Sequence, residues 1–182
     1  MAIKTAVVIG NPKPLSRTRK VAEALGAHLF GPLAQATRVI DLASYRDDIL
    51  AWPSDRMDAV NAEVAACDVV IFASPTYKAT YSGMLKAFLD RYPANGLSGV
   101  VALPLLTGAD HNHAMGPDVN LAPLLTELGA IVPGRGVYFV ISNLDRMDEI
   151  VAAAAAQYAE NFNRVAAVAL QVQSGRQSGK AE

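Results

Sequence analysis

The sequence predicts an α/β protein with a five-stranded parallel sheet and helices on both faces of that sheet. Short apolar runs typical of buried strands alternate along the chain with stretches of helical periodicity. The run from Val69 to Ala73 is unbroken, as in a central parallel strand that is covered on both sides. The loops after the first, third and fourth predicted strands are unusual in composition, and each is examined below.

The first strand is predicted at residues 4–9, where four apolar residues follow one another. A helix is predicted at residues 16–29, because apolar side chains recur at positions 21, 25 and 29 and form one core-facing stripe. Gly31 and Pro32 end this helix.

A second, weakly alternating strand is predicted at residues 37–42, and a polar loop follows at residues 43–53. Ser54 is placed to cap a helix at residues 57–66. Tyr45 and Trp52 lie in the polar loop. They could cover a ligand, line a contact with a second copy, or simply anchor the loop on the surface.

The third strand is predicted at residues 68–73, and a helix at residues 82–91 follows it. The fourth strand is predicted at residues 99–106. It contains Pro104, which cannot donate a ladder hydrogen bond, so we expect a bulge or a locally unpaired position there.

A helix at residues 118–128 leads to a fifth strand at residues 136–142 and a last helix at residues 145–171. Residues 174–182 are polar and are expected to fray. No repeat or internal linker interrupts the pattern, so residues 1–173 are expected to form one domain.

Composition excludes several classes of protein. Hydrophobic residues make up 52% of the 182 residues and charged residues 18%, which suits a folded domain rather than a disordered chain. The net charge of -1 gives no reason to expect nucleic acid or a membrane as a partner. Cys67 is the single cysteine, which excludes a disulfide framework. The apolar run near the N-terminus is too short for a signal peptide or a membrane span, so we expect a cytoplasmic protein.

Five strands in this alternation favour the flavodoxin-like order 2-1-3-4-5, with right-handed crossovers. In such sheets ligands bind beyond the carboxyl ends of the strands, at the switch point between strands one and three. The unusual loops follow strands one, three and four, so the sequence predicts a ligand site at that edge.

The loop at residues 10–18, called the first loop here, has the composition of a phosphate site. Ser16, Arg17 and Thr18 can donate hydrogen bonds at the start of a helix, where free N–H groups already favour an anion. The loop has neither the glycines of a dinucleotide fingerprint nor the ending of a P-loop, which favours one phosphate monoester such as that of FMN. An ordinary capped turn asks for the same residues.

The loop at residues 74–83, called the second loop, combines a proline turn with an aromatic side chain. A planar heteroaromatic ring could stack on Tyr77 while free backbone amides bond its edge. The alternative is that Tyr77 and Tyr81 are packing residues at a helix start.

The three loops together resemble the signature loops of the NADPH-dependent FMN reductase family. The relevant segments are Gly10-Asn11-Pro12 with Ser16-Arg17-Thr18, Ser74-Pro75-Thr76-Tyr77 with Ser82-Gly83-Met84-Leu85-Lys86, and Leu106-Thr107-Gly108. The segments after the third and fourth strands are most similar to flavin reductases that serve alkanesulfonate monooxygenases. The resemblance runs from about residue 3 to residue 140 and implies a flavodoxin-like flavoprotein.

The resemblance also implies a set of FMN-binding residues. The first loop would hold the phosphate through Asn11, Pro12, Ser16, Arg17 and Thr18. The second loop would border the isoalloxazine and ribityl chain through Pro75, Thr76, Tyr77 and Lys78. The third loop, residues 107–113, would lie against the pyrimidine edge through Thr107, Gly108 and Ala109.

This sequence departs from the family pattern in two places. Ala109 stands where a second glycine is usual after Thr-Gly, which changes the backbone conformations open to the third loop. Residues 117–123 contain no aromatic residue, whereas some sulfonate-linked members carry one there and use flavin as an exchangeable substrate. Its absence favours FMN as a bound cofactor.

The implied activity is hydride transfer from NADPH or NADH to FMN, with electrons passed on to free flavin, a quinone or a similar small acceptor. The flavin carries that chemistry, so no catalytic side chain is assigned. The resemblance further implies a homodimer, with a flavin-dependent monooxygenase as a downstream partner. The alternative is an electron-transfer module without nicotinamide turnover, which the near-neutral charge disfavours.

Asp110, His111 and His113 form a short group of metal-ligand residue types in the third loop. A metal site needs three or four converging ligands, and no distant histidine or cysteine cluster supplies the others. We therefore expect no metal, and we place His111 at the border of the flavin or nicotinamide.

Overall fold

The computed structural model describes residues 3–31 and 37–178. Its centre is a five-stranded parallel sheet in the order β2-β1-β3-β4-β5, which confirms the predicted topology. The strands are β1 (Thr5–Ile9), β2 (Arg38–Asp41), β3 (Val69–Pro75), β4 (Val101–Gly108) and β5 (Val137–Val140). The helices are α1 (Arg17–Phe30), α2 (Asp55–Ala65), α3 (Gly83–Leu89), α4 (Ala122–Glu127) and α5 (Met147–Ser178).

The sheet separates two apolar cores. Side chains of α1 and of the first half of α5 pack on one face, and side chains of α2, α3 and α4 pack on the other. Every residue of β1 and β3 is buried, which explains why the sequence of β3 lacks the polar alternation of a half-exposed strand. Pro32, which was expected to help end α1, lies outside the described residues.

The sequence predicts a bulge or a locally unpaired position at Pro104, and β4 has the unpaired position without a bulge. Phe72 of β3 stays in register with Pro104. The N–H groups of Ala102 and Val101 point to opposite sides, towards the carbonyls of Ile131 and Asp68 respectively. By this alternation the missing N–H of Pro104 faces the β5 side, where pairing begins only at the next residue, Leu105. The proline therefore deprives no neighbouring strand of a hydrogen bond.

The helix predicted at residues 118–128 is divided into two parts. Pro117–Leu121 forms a π-helical turn in which the N–H of Ala122 donates to the carbonyl of Pro117, and α4 follows. Pro123 has no N–H to offer, so regular α-helical bonding is already interrupted at this point. π-Turns are frequent at functional sites, and this one begins four residues after the end of the third loop.

The last helix is longer than predicted and reaches Ser178, so it takes in the first residues of the stretch expected to be a polar tail. Its first half contributes Val151, Ala155 and Tyr158 to the core shared with α1. By contrast, every residue from 163 to 174 is exposed. Within the described part of the chain, no helix has the length and apolar character needed to cross a membrane.

Candidate functional site

A cavity of about 710 Å³ lies at the carboxyl ends of β1, β3 and β4, as the strand order predicts. Ten of the thirteen residues predicted to bind FMN line it, whereas Pro12, Lys78 and His111 are not among its lining residues. The ten are Asn11, Ser16, Arg17, Thr18, Pro75, Thr76, Tyr77, Thr107, Gly108 and Ala109. Three segments far apart in sequence therefore meet at one site.

Five further lining residues were not predicted: Lys13, Leu15, Lys20, Ile141 and Ser142. Lys13 and Lys20 lie in or beside the first loop, so their positive charge was a signal available from the sequence. Ile141 and Ser142 directly follow β5, and the rule that ligands lie beyond strand ends applies to that strand as well.

The first loop leads into the capped helix α1, and cationic side chains without an ion pair surround it. Ser16 caps α1, because its Oγ accepts from the N–H of Arg19 at 3.2 Å. Arg17, Lys13 and Lys20 line the cavity and form no ion pair with any described residue. Among the described residues, no aspartate or glutamate lines the cavity. This wall therefore attracts an anion, both through the helix N-terminus and through side-chain charge.

A buried polar network lies beneath the cavity and joins the first loop to the third. Thr18 Oγ1 and Thr107 Oγ1 share a hydrogen bond of 2.7 Å. Asn11 Nδ2 donates to Thr18 Oγ1 at 3.1 Å, and Asn11 Oδ1 accepts from the N–H of Lys13 at 2.9 Å. These bonds hold the first loop at a fixed position relative to the end of β4.

The second loop is a tight turn held by two backbone hydrogen bonds. Tyr77 and Thr80 exchange these bonds at 2.8 and 3.3 Å, and the two residues between them have positive φ angles of 51° and 71°. Ser74 Oγ accepts from the N–H of Ser82 at 2.8 Å, which fixes the far end of the loop. The N–H of Thr76 donates to the carbonyl of Thr107 at 2.7 Å. The second and third loops are thus tied together at the cavity wall.

The hydroxyl of Thr76 is buried and has no hydrogen-bond partner among the described residues. A buried hydroxyl without a partner is unfavourable, since its desolvation is uncompensated. Thr76 lines the cavity, so a ligand with a polar edge would supply the missing partner. A flavin has such an edge along its pyrimidine ring, and a cavity of this volume suits a ligand of that size.

Two glycines are required by close packing around the cavity. A Cβ on Gly10 would lie 2.4 Å from Leu85 Cβ, and the carbonyl of Gly10 accepts a hydrogen bond from Ser82 Oγ. A Cβ on Gly108 would lie 1.8 Å from the hydroxyl oxygen of Tyr138. Ala109, the departure from the family pattern, has no positive φ angle, so alanine adopts this backbone without strain.

The remaining sequence candidates lie away from the cavity lining. His111 is exposed in the third loop, and no group of three or more metal-ligand side chains occurs in residues 3–31 and 37–178. Tyr45 and Trp52 stack under the guanidinium groups of Arg56 and Arg91, at 4.6 and 4.4 Å from the ring centroids.

Cys67 is half-buried, and its thiol donates to the carbonyl of Glu63. Burial raises the pKa of this thiol above its ordinary value, and the nearby Glu63 and Asp68 carboxylates act in the same direction. A thiol in these surroundings stays protonated and unreactive, in keeping with a packing role.

Comparisons with known proteins agree with the site geometry. The family model described as NADPH-dependent FMN reductase matches residues 3–145. An FMN reductase (NADPH) of Pseudomonas aeruginosa is 32% identical over 148 residues, which cover 78% of this chain and 79% of that protein. The NADH-dependent FMN reductase SfnF of Pseudomonas fluorescens is 30% identical over 141 residues, 75% of each chain.

Among solved structures, the apo form of the NADH:FMN oxidoreductase EMOB superposes with a TM-score of 0.71 at 26% identity. The match covers 85% of this chain and 89% of that chain. The segment matched by the family model contains all five strands and all three loops that build the cavity. The chain therefore belongs to the NADPH-dependent FMN reductase family.

Proposed function

We propose that this protein binds FMN in the cavity and catalyses its reduction by NADPH or NADH, with electrons passing on to free flavin, a quinone or a similar small acceptor. The observation that carries the proposal is the single cavity formed by three separate loops. Arginine and lysine side chains that form no ion pair with a described residue line one wall of this cavity. The Thr76 hydroxyl, which has no hydrogen-bond partner among the described residues, lines another part of it.

The residues present fit FMN at both ends of the molecule. At the phosphate end, Arg17 and the free N–H groups of α1 would bind the monoester. At the ring end, the Thr76 hydroxyl and the backbone of Gly108 and Ala109 would meet the pyrimidine edge. Donors placed at that edge would favour the negative charge that the ring gains on reduction.

The chemistry supplied by FMN, when bound, is acceptance of a hydride and release of electrons to a second acceptor. The described side chains that line the cavity would position the flavin and stabilise its charge. None of them is a carboxylate, imidazole or thiol, so they provide no acid-base pair. This composition suits hydride transfer, which needs no proton relay from the protein. Tyr77 lines the cavity and is half exposed, and it would contact the ring or the nicotinamide.

The visible spectrum of the purified protein tests this function directly. The protein with added FMN should show a perturbed flavin spectrum, and NADPH or NADH should bleach it without oxygen. A protein that does not perturb the spectrum would contradict the site assignment. A protein that binds FMN but is reduced by neither nucleotide would instead be an electron-transfer module.

Replacing Arg17 tests the phosphate end of the site. Arg17→Ala removes a charge-assisted hydrogen bond to the monoester, so FMN affinity should fall about tenfold while stability changes by less than about 0.5 kcal/mol. Isothermal titration and thermal melts measure the two quantities. Arg38→Ala is a matched control, because Arg38 pairs with Glu63 at 2.8 Å and does not line the cavity. Equal FMN affinity in the Arg17 variant and the wild type would contradict the assignment.

The physiological acceptor belongs to the proposal as well. Relatives named as NADH-dependent FMN reductases and as a quinone reductase support free flavin or a quinone as the acceptor. A flavin-dependent monooxygenase, which the family resemblance implies, would be the downstream user of the reduced flavin. We also propose the cytoplasm as its location, since the single cysteine indicates no disulfide framework.

We further propose that the protein is a homo-oligomer. Large apolar side chains stay exposed along the second half of α5, among them Val165 and Val168 at 59% and 49%. Apolar surface of this kind on one helix is typical of a contact between chains.

A further inference from the structure

One face of α5 carries a regular row of seven positions, called the α5 seam here. The positions are 150, 154, 157, 161, 165, 168 and 172, spaced by four, three, four, four, three and four residues. On a helix with about 3.6 residues per turn, they fall within an arc of about 80°. The seam therefore runs straight along α5 for about 33 Å.

The two halves of the seam have different surroundings. The first half, formed by Ile150, Ala154 and Gln157, borders a groove of about 310 Å³ between α5 and the edge strand β5. The second half, formed by Val165, Val168 and Val172, is 59%, 49% and 50% exposed.

The segment 163–178, called the α5 arm, contains that second half. Most helical stability in proteins comes from the packing of an apolar face, yet every residue of the arm from 163 to 174 is exposed. The arm therefore needs a surface on which to pack.

The seam is complementary to itself. Its spacing reads the same in both directions from Asn161, so an antiparallel second copy related by a two-fold axis would match it position by position. Ile150 would face the second copy's Val172, Ala154 its Val168, and Gln157 its Val165. Asn161 would lie on the axis, where its amide can both donate a hydrogen bond to the second copy's Asn161 and accept one from it. A single polar position of this kind fixes the register of paired helices.

The charges beside the seam also match a second copy. Glu160 and Arg164 are exposed on the same edge of the seam, and neither forms an ion pair with a described residue. In the antiparallel arrangement Glu160 of one copy would lie beside the second copy's Arg164, and the reverse pair would form across the axis. The arm contains two charged residues, Arg164 and Arg176, so it offers little to nucleic acid or to an acidic protein.

We propose that two copies of this chain pair through the α5 seam, antiparallel about Asn161, with each arm lying in the groove between α5 and β5 of the other copy. This inference deepens the proposed homo-oligomer by naming its surface, and it does not depend on the reductase activity.

Light scattering coupled to size exclusion tests the pairing with full-length protein. The wild type should have about twice the chain mass of 19.2 kDa, and Val168→Glu, which places a charge within the seam, should halve the measured mass. Leu170→Glu is the matched control, because Leu170 is 66% exposed on the opposite side of the arm and should leave the dimer intact. A monomeric wild type, or a dimer that survives Val168→Glu, would overturn the proposal.

A cysteine cross-link tests the register. In a Cys67→Ser background, Asn161→Cys should form an intermolecular disulfide on mild oxidation, because the two thiols would meet on the axis. Ala167→Cys, which is exposed off the seam, should not. The opposite pattern would place the contact on another face. The rate of NADPH oxidation with added FMN, measured on the same samples, separates the reductase proposal from the pairing proposal. A dimer without this activity would contradict only the reductase proposal.

Discussion

Gly10→Ala is expected to destabilise the protein by about 3 kcal/mol, at the upper end of the range for overpacked cores. The added methyl group would lie 2.4 Å from Leu85 Cβ and 3.1 Å from Leu85 Cα, so the backbone of α3 would have to move. Gly10 also donates its N–H to the carbonyl of Ala73 at 2.7 Å, which ties the end of β1 to β3. The melting temperature should fall by about 6–12 °C, which differential scanning calorimetry would measure.

Gly83→Ala is the control for that substitution. Gly83 begins α3, two residues before Leu85, and a Cβ there would meet nothing within 4 Å. Alanine is the better helix former, so this variant should be neutral or more stable by up to about 1 kcal/mol. If the two variants melted at the same temperature, Leu85 would be free to yield, and the close approach of β1 and α3 would not be a constraint.

Thr18→Val is expected to lower both stability and FMN affinity. Valine has nearly the shape of threonine, but it leaves Asn11 Nδ2 and the Thr107 hydroxyl without their buried partner. Each unsatisfied buried group costs about 1–3 kcal/mol, so the two groups together should lower the free energy of unfolding by at least about 2 kcal/mol. Asn11 would also lose its fixed orientation, and FMN affinity should fall about tenfold. Urea unfolding and FMN titration measure the two effects.

A double-mutant cycle identifies the origin of the loss. Thr107→Val removes the other hydroxyl of the pair, so the two substitutions together should destabilise the protein by clearly less than their sum. Thr126→Val serves as the control, because the Thr126 hydroxyl is exposed and donates within its own helix to Ala122 at 2.9 Å. Additive losses in the cycle would show that the Thr18–Thr107 bond does not couple the first and third loops.

Local sequence pattern determined most of the architecture and most of the site. The alternation of apolar runs with helical periodicity predicted five parallel strands in the observed order. Residue types next to the strand ends predicted Ser16, Arg17, Thr18 and Tyr77, and the family resemblance implied the other six of the ten predicted residues that line the cavity. These features were accessible because strand burial, helix periodicity and loop chemistry each depend on residues close together in the chain.

Only the tertiary structure decided features that depend on residues far apart in sequence. Pro104 fits within β4 because no strand lies beside its nitrogen, and that gap is set by where β5 begins. The contact between Thr18 and Thr107 joins residues 89 positions apart, and the unpartnered Thr76 hydroxyl is defined by everything around it. The exposure of Val168 could not be predicted either, because its apolar spacing along α5 predicts a buried helix face. That face is exposed because α5 extends past the end of the sheet.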